Sequence, residues 1–105
     1  MHRISLWAAA LAVAVAAPLA QAQSADDGKE LFDAKCAVCH NADSKDKKIG
    51  PGLAGIKDGK LPSGKEANEA NMMENLNKGG NGMPAFEKLL SDEEKQSLIM
   101  YVKTL

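Results

Sequence analysis

The feature that most constrains this chain is a shortage of material for a core. From Gln23 to Leu105 it has 83 residues, of which only 20 are apolar side chains larger than alanine or cysteine. Three of those are aromatic: Phe32, Phe86 and Tyr101. Small domains bury a low fraction of their surface and commonly add disulfides, a metal or another staple. Two cysteines, Cys36 and Cys39, allow one disulfide at most. The balance points to something non-protein at the centre of the fold.

Residues 1–22 are set aside because they read as an address. Met1-His2-Arg3 is a basic start, and Ile4 to Ala17 is apolar apart from Ser5. Pro18 breaks the run, and Ala20-Gln21-Ala22 offers the small-x-small pattern of a signal peptidase site. The apolar run is 14 residues, short of the ~20 that cross a bilayer as a helix. The competing reading is an uncleaved, alanine-rich anchor. Cleavage after Ala22 predicts one exported domain, 23–105, in the periplasm, where cysteine chemistry is permitted. That domain has no second apolar run, so no stable membrane insertion is expected. It keeps one histidine, His40, and no arginine.

The remaining pattern is helical and glycine-rich. Helix one is expected from about Asp27 into the cysteine segment, capped by Asp26 or Asp27, with Leu31 and Phe32 inward. Asn41 to Gly64 reads as loops, punctuated by glycines and by Pro51 and Pro62. Ser63-Gly64-Lys65-Glu66 suggests a capping box opening helix two, which Gly79 ends. Its inward face is expected at Ala67, Ala70, Met73 and Leu76. Gly79 to Pro84 reads as a flexible strap. Ser91-Asp92-Glu93-Glu94 is a second capping box, followed by Leu98, Tyr101, Val102 and Leu105 as one apolar stripe. No run alternates as a strand. The fold class expected is all-α, three main helices with loops.

The chemistry is concentrated at Cys36-Ala37-Val38-Cys39-His40. C-x-x-C-H is the pattern of c-type haem attachment. Two thiols on one helical turn can reach the two vinyl groups of a haem, with the adjacent histidine beneath the iron as proximal ligand. Three other readings compete. A redox dithiol would need a βαβ fold, which a chain this short without strands does not offer. Zinc would need a fourth ligand, and the exported domain has no further Cys or His. A disulfide across a two-residue gap on a helix has poor geometry. One covalent haem c, with its iron, is the expected cofactor.

At these residues the sequence resembles the small bacterial class I c-type cytochromes, and the likeness covers nearly the whole exported domain. Gly28 and Phe32 match the glycine and aromatic of that family's first helix. Leu98-Ile99-Met100-Tyr101-Val102 matches its last helix, whose aromatic crosses the first helix close to the glycine. Gly50-Pro51-Gly52-Leu53 matches the loop after the haem site, and Gly82-Met83-Pro84-Ala85-Phe86 resembles the strap that carries a methionine ligand. The resemblance implies the cytochrome c fold wrapped round one haem. It also implies that the Pro51 carbonyl accepts a hydrogen bond from His40 Nδ1–H, a bond that fixes the ring and strengthens it as a donor. Leu53 is then expected on the haem face, Phe32 in the core and haem wall, and the Tyr101 hydroxyl within reach of a propionate.

For the distal iron ligand the domain offers Met72, Met73, Met83 and Met100. Met83 follows Gly79-Gly80-Asn81-Gly82, which bends freely, and precedes Pro84, which stiffens the exit. Met83 is the expected ligand. Met73 is expected in the core of helix two, Met72 at the margin of that face and Met100 off the stripe of helix three.

Charge narrows the function. The 12 lysines of the exported domain against 14 carboxylates leave −2, which excludes a nucleic-acid binder driven by net charge. Residues 40–65 nonetheless carry +3. Lys45, Lys47, Lys48, Lys57 and Lys60 are candidates for orienting the haem edge toward an acidic partner; the competing reading is a solvated loop. A peroxidase would need a distal His or Arg to move protons, and neither is available. The expected function is a monomeric one-electron carrier between a donor and an acceptor redox protein, not an enzyme. The alternative is a gas-binding or sensor haem, should the distal position be open.

Overall fold

The computed structural model describes residues 24–105; the export segment and its cleavage site lie outside the described residues. Three helices carry the architecture: α1 (Ala25–Lys35), α2 (Glu69–Lys78) and α3 (Asp92–Val102), with a single 3-10 turn at Ile56–Asp58. There is no strand among the described residues, only two isolated bridges, Lys60 with Glu66 and Gly80 with Met83. The all-α expectation holds.

α1 starts earlier than expected. Ser24, not Asp26 or Asp27, is the N-cap; its hydroxyl accepts from Asp27 N. The two aspartates sit instead in the first turn, where they favour the positive end of the helix dipole. α1 crosses α3 where Gly28 meets Ser97 and Tyr101. A Cβ at Gly28 would fall inside the Ser97 carbonyl group and within 2.8 Å of Tyr101 Cβ. Hydrogen at this position lets the two backbones touch. The Phe32 and Tyr101 rings pack beside the crossing, centroids 5.3 Å apart and tilted by 59°, a favoured aromatic arrangement.

α2 begins six residues after Ser63. Asn68 is its N-cap, accepting from Asn71 N at 2.8 Å. The Ser63–Glu66 box fails because that backbone is used otherwise. Leu61 N donates to Lys65 O at 2.8 Å, Gly64 N to Leu61 O at 2.8 Å, and Gly64 has φ +85°. This tight turn closes the Lys60–Glu66 bridge. The later start rotates the inward face: Met72 is buried, Met73 half-buried and Ala70 exposed. Met72, not Met73, is therefore the core methionine of α2.

α3 opens with the expected capping box, Ser91 and Glu94 bonding reciprocally. It buries more than one stripe. Leu98 packs with Phe32, Phe86 and Leu90 in a first cluster. Ile99 packs with Ala67 and Met72 in a second. A helix touched by α1 on one side and α2 on the other needs two apolar faces. Met100 points away and is exposed. The end of the chain is tied back by Gly55 N donating to Leu105 O at 2.7 Å.

Candidate haem-binding site

The cysteine segment continues the last turn of α1. Cys36 N and Ala37 N both donate to Phe32 O, and Cys39 N and His40 N both donate to Cys36 O, all at 2.8–3.0 Å. This coil keeps Cys36, Cys39 and His40 on neighbouring turns, each half-buried. Both thiols are free; no disulfide joins them. Burial, and then the neighbouring Cys39, push the Cys36 thiol up to about 11, so it stays protonated at neutral pH.

The loop after His40 folds back onto it. Gly50 N donates to Cys39 O at 2.7 Å and Leu53 N to Asn41 O at 2.8 Å. Lys48 reaches across with its ammonium on Ala37 O at 2.9 Å. His40 Nδ1 then lies 2.8 Å from the Pro51 carbonyl oxygen. A carbonyl can only accept, so Nδ1 donates its proton there, which leaves Nε2 as the ring nitrogen open to a metal. Gly50 makes room for the ring: a Cβ there would sit 2.6 Å from His40 Cε1.

Met83 is held by a device the strap reading missed. Gly80 N donates to Met83 O at 2.9 Å and Met83 N to Gly80 O at 3.0 Å. Between them Asn81 has φ +53° and Gly82 φ +90°. This is a two-residue turn of the type that favours Asn-Gly, not a flexible strap. The signal was present in the dipeptide Asn81-Gly82. The segment is also pinned to α2, because Phe86 N donates to Leu76 O at 2.7 Å. Asn75 was not singled out in the sequence; its side-chain amide lies 3.7 Å from Met83 Sδ.

The site residues divide between the two clusters. Cys36, Ala37, Leu53 and Met83 all pack, partly buried, against the cluster of Phe32, Phe86, Leu90 and Leu98. Met73 packs against the cluster that buries Met72. Pro51 is exposed and takes part through its carbonyl. Tyr101 is half-buried against Phe32. Two free thiols, an imidazole with one nitrogen committed and one available, and a thioether beside the same apolar cluster are a donor set that fits a covalently attached haem.

Fold and donor set together define a small class I c-type cytochrome, a class that carries its haem on cysteine thioethers. The chain belongs to the family described as cytochrome c oxidase, cbb3-type, subunit III, whose model it matches over residues 23–102. Among solved structures it is similar to cytochrome c6 from the diatom Phaeodactylum tricornutum. The two are 30% identical with a TM-score of 0.61, over 77% of this chain and 92% of the diatom protein. A search of curated proteins finds no significant relative. Family and neighbour set the chain among electron-carrying cytochromes.

Proposed function

We propose that this protein is a periplasmic one-electron carrier, exported with residues 1–22 removed, holding one haem c through Cys36 and Cys39 with His40 and Met83 as axial ligands. The haem supplies a one-electron iron couple. The chain's own residues decide how that couple behaves. His40, with Nδ1–H committed to Pro51, presents Nε2 in a fixed orientation and as a stronger donor. Met83 offers a soft thioether, which favours the reduced state and raises the potential. With both axial positions filled by side chains, oxygen and peroxide have nowhere to bind, which suits a carrier rather than a catalyst.

The observation that carries the choice of Met83 is its cluster. It packs against the same buried cluster as Cys36 and Leu53, whereas Met73 lies against the other cluster and Met100 is exposed. Among the described residues no helix is long and apolar enough to cross a membrane, in keeping with a carrier that moves between partners. Those partners are redox proteins. Exposed Lys45 and Lys47, on the loop that folds back onto the cysteine segment, together with exposed Lys57 and Lys60, favour acidic docking faces.

The test is spectroscopic. Reduced wild-type protein should be indifferent to carbon monoxide, and the oxidised form should show the weak near-infrared sulfur-to-iron charge-transfer band. Met83→Ala should abolish the band, lower the potential and let the reduced protein bind carbon monoxide. Met73→Ala should keep the band. If Met73→Ala loses it and Met83→Ala does not, the ligand is the wrong methionine. If the wild type itself binds carbon monoxide readily, the gas-binding reading replaces the carrier.

A further inference from the structure

Lys95 is a buried cation that the haem chemistry does not use. It is 2% exposed and ends the first turn of α3. A lysine is unfavourable there twice over, because burial strips its ammonium of water and the start of a helix is already positive. Two partners compensate: Nζ donates to Asn77 Oδ1 at 2.7 Å and pairs with Asp92 Oδ1 at 3.1 Å. Asp92 belongs to the same helix turn, so that pair joins nothing. The Asn77 bond crosses from α3 to α2, and among the described residues no other side-chain hydrogen bond links those two helices. Asn77 stands in the last turn of α2, and the chain beyond it is fastened to that turn. Gly79 N donates to Asn75 O at 2.8 Å and Phe86 N to Leu76 O at 2.7 Å. A Cβ at Gly79 would fall 2.4 Å from Met83 O, so the Met83 turn lies directly on the helix end and moves with it.

We infer that Lys95 is a positioning residue: by holding Asn77 it fixes the end of α2, and with it the Met83 turn, against α3, and so sets how readily the Met83 sulfur leaves the iron. The inference rests on Met83 being the axial ligand. α3 is pressed on α1 at Gly28, and α1 runs into the coil of Cys36, Cys39 and His40. Through Lys95 the segment with the proximal histidine and the segment with the distal methionine share one frame. The apolar contacts nearby, Phe86 on Leu98 and Met72 on Ile99, resist separation but not sliding, because burial of apolar surface is non-directional. A charge-assisted hydrogen bond has a length and a direction, and it removes that freedom where the turn begins.

The experiment compares the haem-loaded wild type with Lys95→Met and Asn77→Leu, which break the bond from either side, and with Ile99→Val, which loosens the same pair of helices and leaves the bond intact. Carbon monoxide takes the sixth position of the reduced protein only in molecules whose Met83 has let go, so its slow uptake counts those openings. Uptake should rise about tenfold in Lys95→Met and in Asn77→Leu, the factor for one hydrogen bond to a charged donor at the low end of its range. Amide hydrogen exchange of the loaded protein should quicken at Met83 and Phe86 while Cys36 and His40 keep wild-type protection. In Ile99→Val any quickening should be shared by all four. If Lys95→Met and Asn77→Leu quicken all four alike, or leave carbon monoxide uptake at the wild-type rate, Lys95 is only a stabilising contact and the inference is overturned, with Met83 ligation left standing. A wild type without the near-infrared band overturns both.

Discussion

At the scale of single residues, the site depends on what is missing from a few side chains. Gly28 is the sharpest case, because the space a methyl group would need is occupied by the Ser97 carbonyl and the Tyr101 side chain. Those atoms belong to a helix packed on both sides and cannot swing away. Gly28→Ala would ordinarily favour a helix by up to about 1 kcal/mol. Overpacking costs about 1–3 kcal/mol or more, and here it should win. Chemical denaturation of the haem-loaded protein should show Gly28→Ala destabilised, with the Phe32 and Tyr101 packing disturbed. A substituted protein as stable as the wild type would mean that the helices shift apart freely.

At the scale of elements, α2 and α3 are joined by a buried lysine. Lys95 is only 2% exposed. Its ammonium meets Asn77 Oδ1 at 2.7 Å and Asp92 Oδ1 at 3.1 Å. Asp92 is 82% exposed, so water replaces the lysine there if it is lost, whereas Asn77 is half-buried and its side-chain oxygen is less open to water. The amide bond should therefore matter more than the ion pair. Lys95→Met, which keeps the packed stem, should cost about 1 kcal/mol or more, the loss of a charge-assisted hydrogen bond to a half-buried acceptor. Asp92→Asn should cost less than about 1 kcal/mol, as exposed ion pairs do. Equal losses in thermal unfolding would overturn that ranking. This lysine is invisible to pattern reading, which puts charge outside. The same limit explains the other differences. The α3 capping box was legible because Ser91 and Glu94 satisfy each other locally. The start of α2 was not, because Ser63 accepts from Lys65 N within a turn closed by the Lys60–Glu66 bridge. Cys36, Cys39, His40, Pro51 and Met83 could be proposed from sequence because each lies in a short contiguous motif, and of these expectations the His40–Pro51 contact is present at 2.8 Å. The Asn75 contact joins two elements and has no such signature.

At the scale of the molecule, charge is distributed unevenly, and the structure sharpens which lysines can act at a distance. Lys65 is paired with Glu74 at 3.3 Å, and Lys48 is folded onto Ala37 O. Lys45 and Lys47 remain exposed on the loop that covers the cysteine segment. Reversing both to Glu should slow electron exchange with an acidic partner and flatten its dependence on salt. Reversing Lys29 and Lys103, exposed on α1 and just after α3, should do so less. Stopped-flow rates over a range of ionic strength measure the difference, since charges at the surface are screened over about 8 Å at physiological salt. Equal slowing by both pairs would mean that only total charge matters. Val38 and Ile49, both strongly exposed beside the same segment, add apolar surface without charge to that face.

The crossing of α1 and α3 also sets the order of events in the life of the chain. Ser24 N and Ser97 Oγ meet at 3.3 Å across a separation of 73 residues. Closing a loop of that size costs roughly 4 kcal/mol before any contact is gained. The largest helix–helix interface therefore waits until nearly the whole polypeptide is available, and a partly synthesised chain has little reason to collapse. Phe32, which Leu98 helps to bury, stays open until then, and so does the coil that carries both thiols from its carbonyl. Cys36 and Cys39, half-buried once the chain is folded, should therefore be more open to chemistry before closure than after it.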